Sequence, residues 1–178
     1  MTLPFGAALR QPDQTSCGAA CVVVARLLRS PAPPDSPDSP DSFADDVLAE
    51  HRRLVRPVGH SGRAQLPWPA ALGTPPWAVA DALGSIEVVR YRTRLARWSR
   101  PSAFSAVSAA VAHHPVALYI GSTTLPRHVV LAIGSSDSGL SVYDPASGGL
   151  VTVPRDWFVD ATLHVAGWDV PWFVVLPR

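Results

Sequence analysis

Hydrophobic and polar positions change their spacing near the middle of the chain. The first half contains apolar segments with helical periodicity, whereas the second contains short apolar runs that Gly and Ser separate at hairpin spacing. This order predicts an α+β fold, with a helical N-terminal half followed by an antiparallel β-sheet half. We expect one domain over residues 1–178, because 47% of the residues are hydrophobic and can form one sizeable core.

The same pattern predicts individual elements. Helices are predicted over residues 17–29, 43–54, 75–83 and 102–114, and strands over 86–91, 116–120, 128–133, 140–143, 150–153 and 172–176. Ser16 or Thr15 is expected to cap the first helix, and Thr74 followed by Pro75 to open the third. Residues 30–41, rich in Pro, Asp and Ser, are predicted to form an exposed loop, and 55–73 a second loop.

Composition and charge exclude several classes of protein. The formal net charge is +1 and only 16% of the residues are charged, which argues against a basic surface for nucleic acid. No apolar run is long enough for a transmembrane helix, and the N-terminus does not resemble a signal peptide. These features predict a cytoplasmic protein without a membrane span; they do not predict its oligomeric state.

The residue types that are missing restrict the chemistry. All 15 basic residues are Arg, and neither Lys nor Asn occurs, so a Schiff-base Lys, a P-loop Lys and a Cys-His-Asn triad are impossible. Cys17 and Cys21 are the only cysteines, and neither a CxxC pair nor an HExxH motif is present. We therefore expect no metal site and no cofactor.

Cys17 is the candidate nucleophile. It lies at the predicted start of a helix, where free N–H groups and the helix dipole favour the thiolate, the reactive form of cysteine. Gly18 beside it has no side chain that would block a substrate carbonyl. A small core cysteine is the alternative for Cys17, and it is the preferred interpretation for Cys21, one turn further into the apolar segment.

A cysteine nucleophile needs a base and an oxyanion donor. Gln11, six residues before Cys17, could direct its amide to the same point as the Cys17 N–H; Gln14 is a competitor, better suited to the turn. Among six histidines, His128 stands out because it opens the most apolar strand. The others are placed in polar, loop or helix-end positions: His51, His60, His113, His114 and His164.

Asp144 is the candidate partner of His128. The predicted strands 128–133 and 140–143 form a hairpin, and pairing Gly134 with Leu140 puts Asp144 opposite Val130, one diagonal step from His128. A slip of one residue would separate His128 and Asp144 onto opposite faces. The alternative is that Asp144, followed by Pro145, only forms a turn.

Three sequence segments carry a family resemblance. They are Q-P-D-Q-T-S-C-G-A-A-C, P-R-H-V-V-L-A-I-G and V-Y-D-P-A-S-G-G. In order and spacing they resemble the bacteriocin-processing peptidases, papain-like cysteine peptidases that remove double-glycine leader peptides, with this chain as a stand-alone member. The resemblance covers roughly residues 10–160.

The resemblance implies a papain-like fold with the active site between its two halves, and a peptide or protein as substrate. It implies that Cys17 is the nucleophile, His128 the general base and acid, Asp144 the orienting group, and Gln11 part of the oxyanion hole. It also places the helix after Thr74 beside the cleft. The residues expected to bind substrate are Gly18, Thr74, Trp77 and Arg127.

Other functions stay open at this point. The same triad would serve a secreted effector that cleaves one particular protein, or a transferase or deamidase. A catalytically silent peptide-binding domain is a further alternative, as is an unrelated α+β protein. The Arg-rich run 88–100 is interpreted as a solvated strand edge and loop, with an acidic partner as the alternative.

Overall fold

The computed structural model describes residues 3–30, 40–69 and 73–178. Most of the predicted 30–41 loop, and residues 70–72 of the second loop, lie outside the described residues. A short 3-10 turn, Ala7–Leu9, precedes the helices. The helices are α1 (Cys17–Arg29), α2 (Pro40–Leu54), α3 (Pro76–Glu87), α4 (Arg100–Ala110) and α5 (Arg155–Asp160). The strands are β1 (Tyr91–Leu95), β2 (Val116–Gly121), β3 (Pro126–Ser136), β4 (Gly139–Asp144), β5 (Gly149–Val153) and β6 (Val170–Pro177).

The six strands form one antiparallel sheet in the order β1-β6-β2-β3-β4-β5. Every residue of β2 is buried, as expected for a central strand that contacts core on both faces. Strands β1 and β5 lie at the two edges, and β1 is the more exposed of these. Among the described residues, the sheet therefore has one unpaired edge at each end.

Apolar residues pack on both faces of the sheet. One core cluster joins α1, α2 and α3 to alternate residues such as Val129, Leu131 and Tyr143. A second cluster joins α4 and α5 to the intervening residues, among them Val130 and Val142. This alternation follows from the two-residue period of a strand. The predicted α+β arrangement is confirmed, with the sheet between two helical layers.

The predicted strand over 86–91 is wrong. Helix α3 continues to Glu87 and ends at Val88, which adopts a left-handed conformation with φ of 55°. Glu87 is held there by the Arg29 guanidinium and by His114, whose Nδ1 lies 2.7 Å from Glu87 Oε2. These long-range ion pairs, which no local pattern records, extend the helix and delay the strand to Tyr91.

Other helix ends differ from the prediction by a few residues. Helix α2 begins earlier, at Pro40, and α3 begins at Pro76 with Pro75 at the N-cap, so Thr74 lies outside the helix. Helix α4 runs over Arg100–Ala110 rather than 102–114, and α5 was not predicted. The short α5 follows Pro154 and buries only Phe158, which gives too weak a periodic signal for a sequence pattern.

The hairpin β3–β4 has the predicted register at its open end and a different one near its turn. Leu131 pairs with Tyr143, as the proposed register requires, but Gly134 pairs with Ser141 and not with Leu140. A bulge between Ala132 and Gly134 absorbs the extra residue. The prediction for the turn was wrong, whereas the side chains at the open end keep their predicted faces.

Candidate active site

Helix α1 begins at Cys17, whose side chain is almost completely buried, with 2% exposed. Ser16 occupies the N-cap position, but its hydroxyl makes no capping bond. Instead Asp13 Oδ1 accepts hydrogen bonds from the backbone N–H groups of Thr15 (2.8 Å) and Ser16 (2.9 Å). The Asp13 side chain thus orders the turn that leads into Cys17. The predicted cap by Ser16 or Thr15 was wrong, because Asp13 makes these hydrogen bonds instead.

His128 and Asp144 are in direct contact. The imidazole Nε2 lies 2.8 Å from Asp144 Oδ1, and both side chains are about 6% exposed. The predicted proximity of these two residues is confirmed. Because Nε2 is engaged by the carboxylate, Nδ1 is the imidazole nitrogen left for another partner, and Cys17 is near enough to help raise the pKa of His128.

Burial and charge act in opposite directions on His128. Burial disfavours the charged imidazolium, but the hydrogen bonds and negative charges of Asp144 and Cys17 outweigh it and raise the pKa of His128 to about 9. Burial likewise opposes the Asp144 carboxylate, yet its hydrogen bond with His128 leads the interactions that lower the Asp144 pKa. The site therefore favours a charged imidazolium at neutral pH.

The turn after β4 holds the Asp144 carboxylate in place. Asp144 Oδ1 accepts a hydrogen bond from the Ala146 N–H (3.0 Å), and Oδ2 accepts one from the Ser147 hydroxyl (3.0 Å). The turn interpretation of Asp144 is thus also correct: one carboxylate orders the turn and binds His128. Both carboxylate oxygens are engaged, which fixes the orientation of the carboxylate toward the imidazole.

Gln11 lies next to this turn. Its N–H donates to the carbonyl of Pro145 (2.8 Å), which ties the segment before α1 to the end of β4. Its side-chain Nε2 donates to the Asp13 carbonyl (2.5 Å), and Oε1 is buried without a hydrogen-bond partner among the described residues. The amide nitrogen of Gln11 is thus engaged by Asp13 in this structure, and the oxyanion role of Gln11 stays a prediction.

Gly18 has a packing role that the sequence did not indicate. A Cβ atom at residue 18 would lie 2.7 Å from Thr74 Cβ and 2.9 Å from Thr74 Oγ1, closer than carbon atoms can approach. Thr74 thus occupies the space that a side chain at residue 18 would fill, and the substrate-binding roles of Gly18 and Thr74 stay predictions. Its Oγ1 is buried without a partner in the described chain, and its carbonyl accepts a hydrogen bond from Tyr119 (2.9 Å).

The other two predicted substrate-binding residues lie further out. Trp77, in the first turn of α3, is half-buried and stacks edge to face against Trp68, with ring centroids 5.1 Å apart. Arg127 is exposed, at the irregularity in the β2–β3 pairing directly before His128. Their substrate-binding roles stay predictions.

Cys21 is a core residue. It is completely buried, and its thiol donates a hydrogen bond to the Val129 carbonyl at 3.5 Å. Burial, together with the negative charges of Cys17 and Asp144, raises the pKa of the Cys21 thiol well above its ordinary value. It therefore remains a thiol and differs in reactivity from its neighbour one turn away.

Three residues that support the site were not singled out from the sequence. They are Asp13, Ser147 and Tyr143. The Tyr143 hydroxyl donates a hydrogen bond to the Leu9 carbonyl (2.5 Å). An Asp two residues before Thr-Ser at a helix start is a recognisable turn signal, so Asp13 could have been found. The Tyr143 contact joins residues 134 positions apart, and no local pattern contains it.

The described residues contain no group of three or more His, Cys, Asp or Glu side chains placed to hold a metal ion. Within the same residues, no helix is long and apolar enough to cross a membrane.

Comparison with solved structures identifies similar folds. The chain is similar to a double glycine motif protease from an AMS/PCAT transporter in complex with the leader peptide, with a TM-score of 0.50 and 13% sequence identity over 95% of this chain and 89% of that one. The helices and the six-stranded antiparallel sheet match the papain-like peptidase fold of that neighbour. The predicted resemblance is confirmed at the level of the fold.

Two further neighbours are peptidase domains. One is that of Streptococcus ComA, a bi-functional ABC transporter involved in a quorum sensing pathway (TM-score 0.49, 16% identity, 95% of this chain and 96% of that chain). The other is that of Streptococcus mutans ComA (TM-score 0.47, 14% identity, with the same coverage). No protein-family model matches the chain, and no curated protein matches its sequence.

Proposed function

We propose that the chain is a cysteine peptidase that hydrolyses peptide bonds with Cys17, His128 and Asp144. The observation that carries this proposal is the arrangement of one imidazole between a thiol at a helix N-terminus and a buried carboxylate 2.8 Å from Nε2. Nucleophile, base and orienting group would then act in the order that nucleophilic catalysis requires. The similarity of the fold to that of a double-glycine protease supports the same conclusion.

The reaction proceeds in two steps. The Cys17 thiolate attacks the carbonyl carbon, and a C–S bond forms; the C–N bond then breaks as the His128 imidazolium gives its proton to the leaving amine. Water next attacks the thioester while His128, now neutral, takes a proton from that water. The C–S bond breaks, the carboxylic acid product leaves, and the thiolate–imidazolium pair is restored.

The oxyanion formed in each step needs hydrogen-bond donors. The backbone N–H of Cys17 lies at the helix start, where such groups lack partners within the helix. Gln11 is the proposed side-chain donor, and the amide hydrogen that is not bound to Asp13 can serve. Asp144 does not take the proton; it keeps Nδ1 of His128 directed to the sulfur and stabilises the imidazolium.

The substrate class we propose is a peptide or protein. The double glycine motif protease was solved with a leader peptide, which makes peptides that contain two adjacent glycines the first substrates to test. The two glycines require little space beside the nucleophile, where Thr74 already fills the position next to Gly18. Resolution of the acyl-enzyme by an amine, or attack on a side-chain amide, would give transferase or deamidase activity from the same residues.

A peptide-library experiment tests this function. The purified protein is incubated with quenched fluorescent peptides, with and without a double-glycine sequence, and the products are identified by mass spectrometry. We expect cleavage that is abolished in Cys17→Ala and His128→Ala but kept in the matched control Cys21→Ala. Full cleavage by Cys17→Ala would refute the assignment. A product with an unchanged backbone and an altered side-chain mass would indicate deamidation, and a cleaved fragment joined to an added amine would indicate transfer.

A further inference from the structure

A groove of about 940 Å³ lies between helix α3, edge strand β1 and the segment that carries Ser61 and Arg63. Helix α3 lines it with residues one turn apart, from Trp77 to Gly84, and β1 lines it through Thr93. The catalytic residues proposed above do not line this groove. Its volume is in the range of known ligand sites, so it is large enough to hold a peptide segment.

Several arginines border the groove. Arg63, Arg90, Arg92 and Arg178 line it and are exposed, and no carboxylate of the described residues forms an ion pair with any of them. Among the described lining residues, Asp81 is the one acid, and its Oδ2 already accepts a hydrogen bond from the Ser61 N–H (2.8 Å). The groove therefore attracts anionic groups.

Strand β1 also offers unpaired backbone groups. It pairs only with β6 within the described sheet, and Arg90 accepts a hydrogen bond from the Arg178 N–H (2.7 Å). In an antiparallel pair, residues alternate between those that bond to the neighbour and those whose N–H and C=O point away. Thr93, three residues from Arg90, therefore directs its backbone groups to the free edge, where an extended peptide can pair.

The groove begins close to the proposed nucleophile. Trp77 is three residues after Thr74, so their Cα atoms are at most about 11 Å apart. Thr74 itself packs against Gly18, the neighbour of Cys17. A peptide that occupies the groove could thus continue along α3 to the site of cleavage.

We propose that this arginine groove, formed by Trp77, Arg63, Arg90, Arg92 and the free edge of β1, binds an extended acidic segment of the substrate. The assignment of this segment to the substrate rests on the proposed peptidase function. The segment adds to β1 as a further strand. Arg90 and Arg92 lie two residues apart and share the face of the sheet that carries Leu176, so acidic residues at alternate positions of the segment pair with them across the strands, while the intervening residues of the segment face α3 and Trp77.

Fluorescence anisotropy with the full chain tests the proposal. The protein carries Cys17→Ala so that no probe is cleaved, and the probe is a fluorescein-labelled peptide of alternating Thr and Glu. We expect saturable binding that weakens with added salt, and binding at least about tenfold weaker when Gln replaces every Glu. A copy of the probe with N-methyl groups at alternate backbone nitrogens should also bind more weakly, because it cannot add as a strand.

Matched variants locate the binding. The double variant Arg90→Gln, Arg92→Gln should bind the acidic probe about tenfold more weakly. The control Arg52→Gln, Arg155→Gln removes the same charge from exposed arginines outside the groove and should bind as the parent does. All four residues are exposed, so neither variant disturbs the core.

The outcomes separate this proposal from the peptidase function. Three results would refute the proposed binding of an acidic segment in the groove, even if the protein cleaves peptides. They are no binding of the acidic probe, equal binding of the Gln probe, and equal affinity of both double variants. An oligothymidylate that binds more tightly than the acidic probe, together with no effect of N-methylation, would indicate a nucleic acid instead and also refute the proposal. Binding as predicted, together with no peptide cleavage by the wild-type chain, would keep the groove and refute the proposed function.

Discussion

The imidazole Nε2 of His128 lies 2.8 Å from the Oδ1 of Asp144, sixteen residues further along the chain. The β3–β4 hairpin brings them together, and its register at this end matches the one that the spacing of hydrophobic residues predicts. The carboxylate is held in turn by the Ala146 N–H and the Ser147 hydroxyl. A conformationally fixed carboxylate therefore determines which imidazole nitrogen faces Cys17, and this relationship is the basis of several predictions.

Removal of the Asp144 charge should change both the titration of His128 and the rate of catalysis. Asp144→Asn replaces a carboxylate that raises the His128 pKa, so that pKa should fall from about 9. The value of kcat/KM should fall by about 100-fold or more, because the imidazole loses its orienting group. NMR titration of the histidine ring signals and steady-state kinetics measure the two effects; an unchanged His128 titration would show that the carboxylate does not act on the imidazole.

The pH dependence of stability should reveal the same pair. The folded-state pKa of His128 is above its ordinary value of 6.5, so its contribution to stability is complete below about pH 6.5 and is lost as pH rises through about 9. The free energy of unfolding of the wild type, compared with His128→Gln, should therefore decline over this interval by up to about 3 kcal/mol. Urea denaturation at several pH values measures it.

Asp144 contributes in the opposite sense. Its folded-state pKa is lowered, so its contribution is present above the ordinary value of 3.8 and is lost as pH falls through the folded-state pKa. The wild type should thus lose more stability than Asp144→Asn below about pH 4. Parallel curves for the two proteins in this range would contradict the lowered pKa.

Gly18→Ala should destabilise the fold. The added methyl group would meet Thr74 Cβ at 2.7 Å, and overpacking of this kind costs about 1–3 kcal/mol. The matched control is Gly134→Ala in β3, where the nearest atom to the new Cβ is Ser141 Cβ at an ordinary 3.8 Å. Thermal or urea unfolding compares the two variants, and an equal loss in both would show that the Thr74 contact is not the cause.

Cys21→Ala should affect stability and leave catalysis intact. The substitution removes a completely buried thiol and its hydrogen bond to Val129, at a cost of about 1 kcal/mol. Because the raised pKa of Cys21 keeps it protonated, kcat/KM should remain close to that of the wild type. A large loss of activity at unchanged stability would instead assign Cys21 a chemical role.

Local patterns predicted a large part of the fold and of the site. The α1 start, the strand that His128 opens and the contact between His128 and Asp144 depend on short-range periodicity and on one hairpin, which a sequence displays directly. The predicted catalytic roles themselves stay predictions. The expectation of one core was wrong, because the sheet separates the buried apolar residues into two clusters, one on each face.

Long-range contacts account for what the sequence did not predict. The ion pairs of Glu87 with Arg29 and His114 extend α3 past the predicted strand start. Thr74 packs so closely against Gly18 that a larger residue would clash there, and no motif around Gly18 predicts this contact. In each case residues far apart in the chain determine the local conformation, so the periodicity of residues within a short window cannot predict that conformation.

The most direct test of the proposed peptidase is selective alkylation of the two cysteines between about pH 5 and pH 9, with the labelled residue located by mass spectrometry. Iodoacetamide should label Cys17 rapidly well below pH 8 and leave Cys21 unlabelled. In His128→Ala, this rapid labelling of Cys17 at low pH should be absent. Such a result would establish a thiolate–imidazolium pair. Slow labelling of Cys17 with an ordinary thiol profile that His128→Ala does not change would contradict the pair, and with it the proposed mechanism.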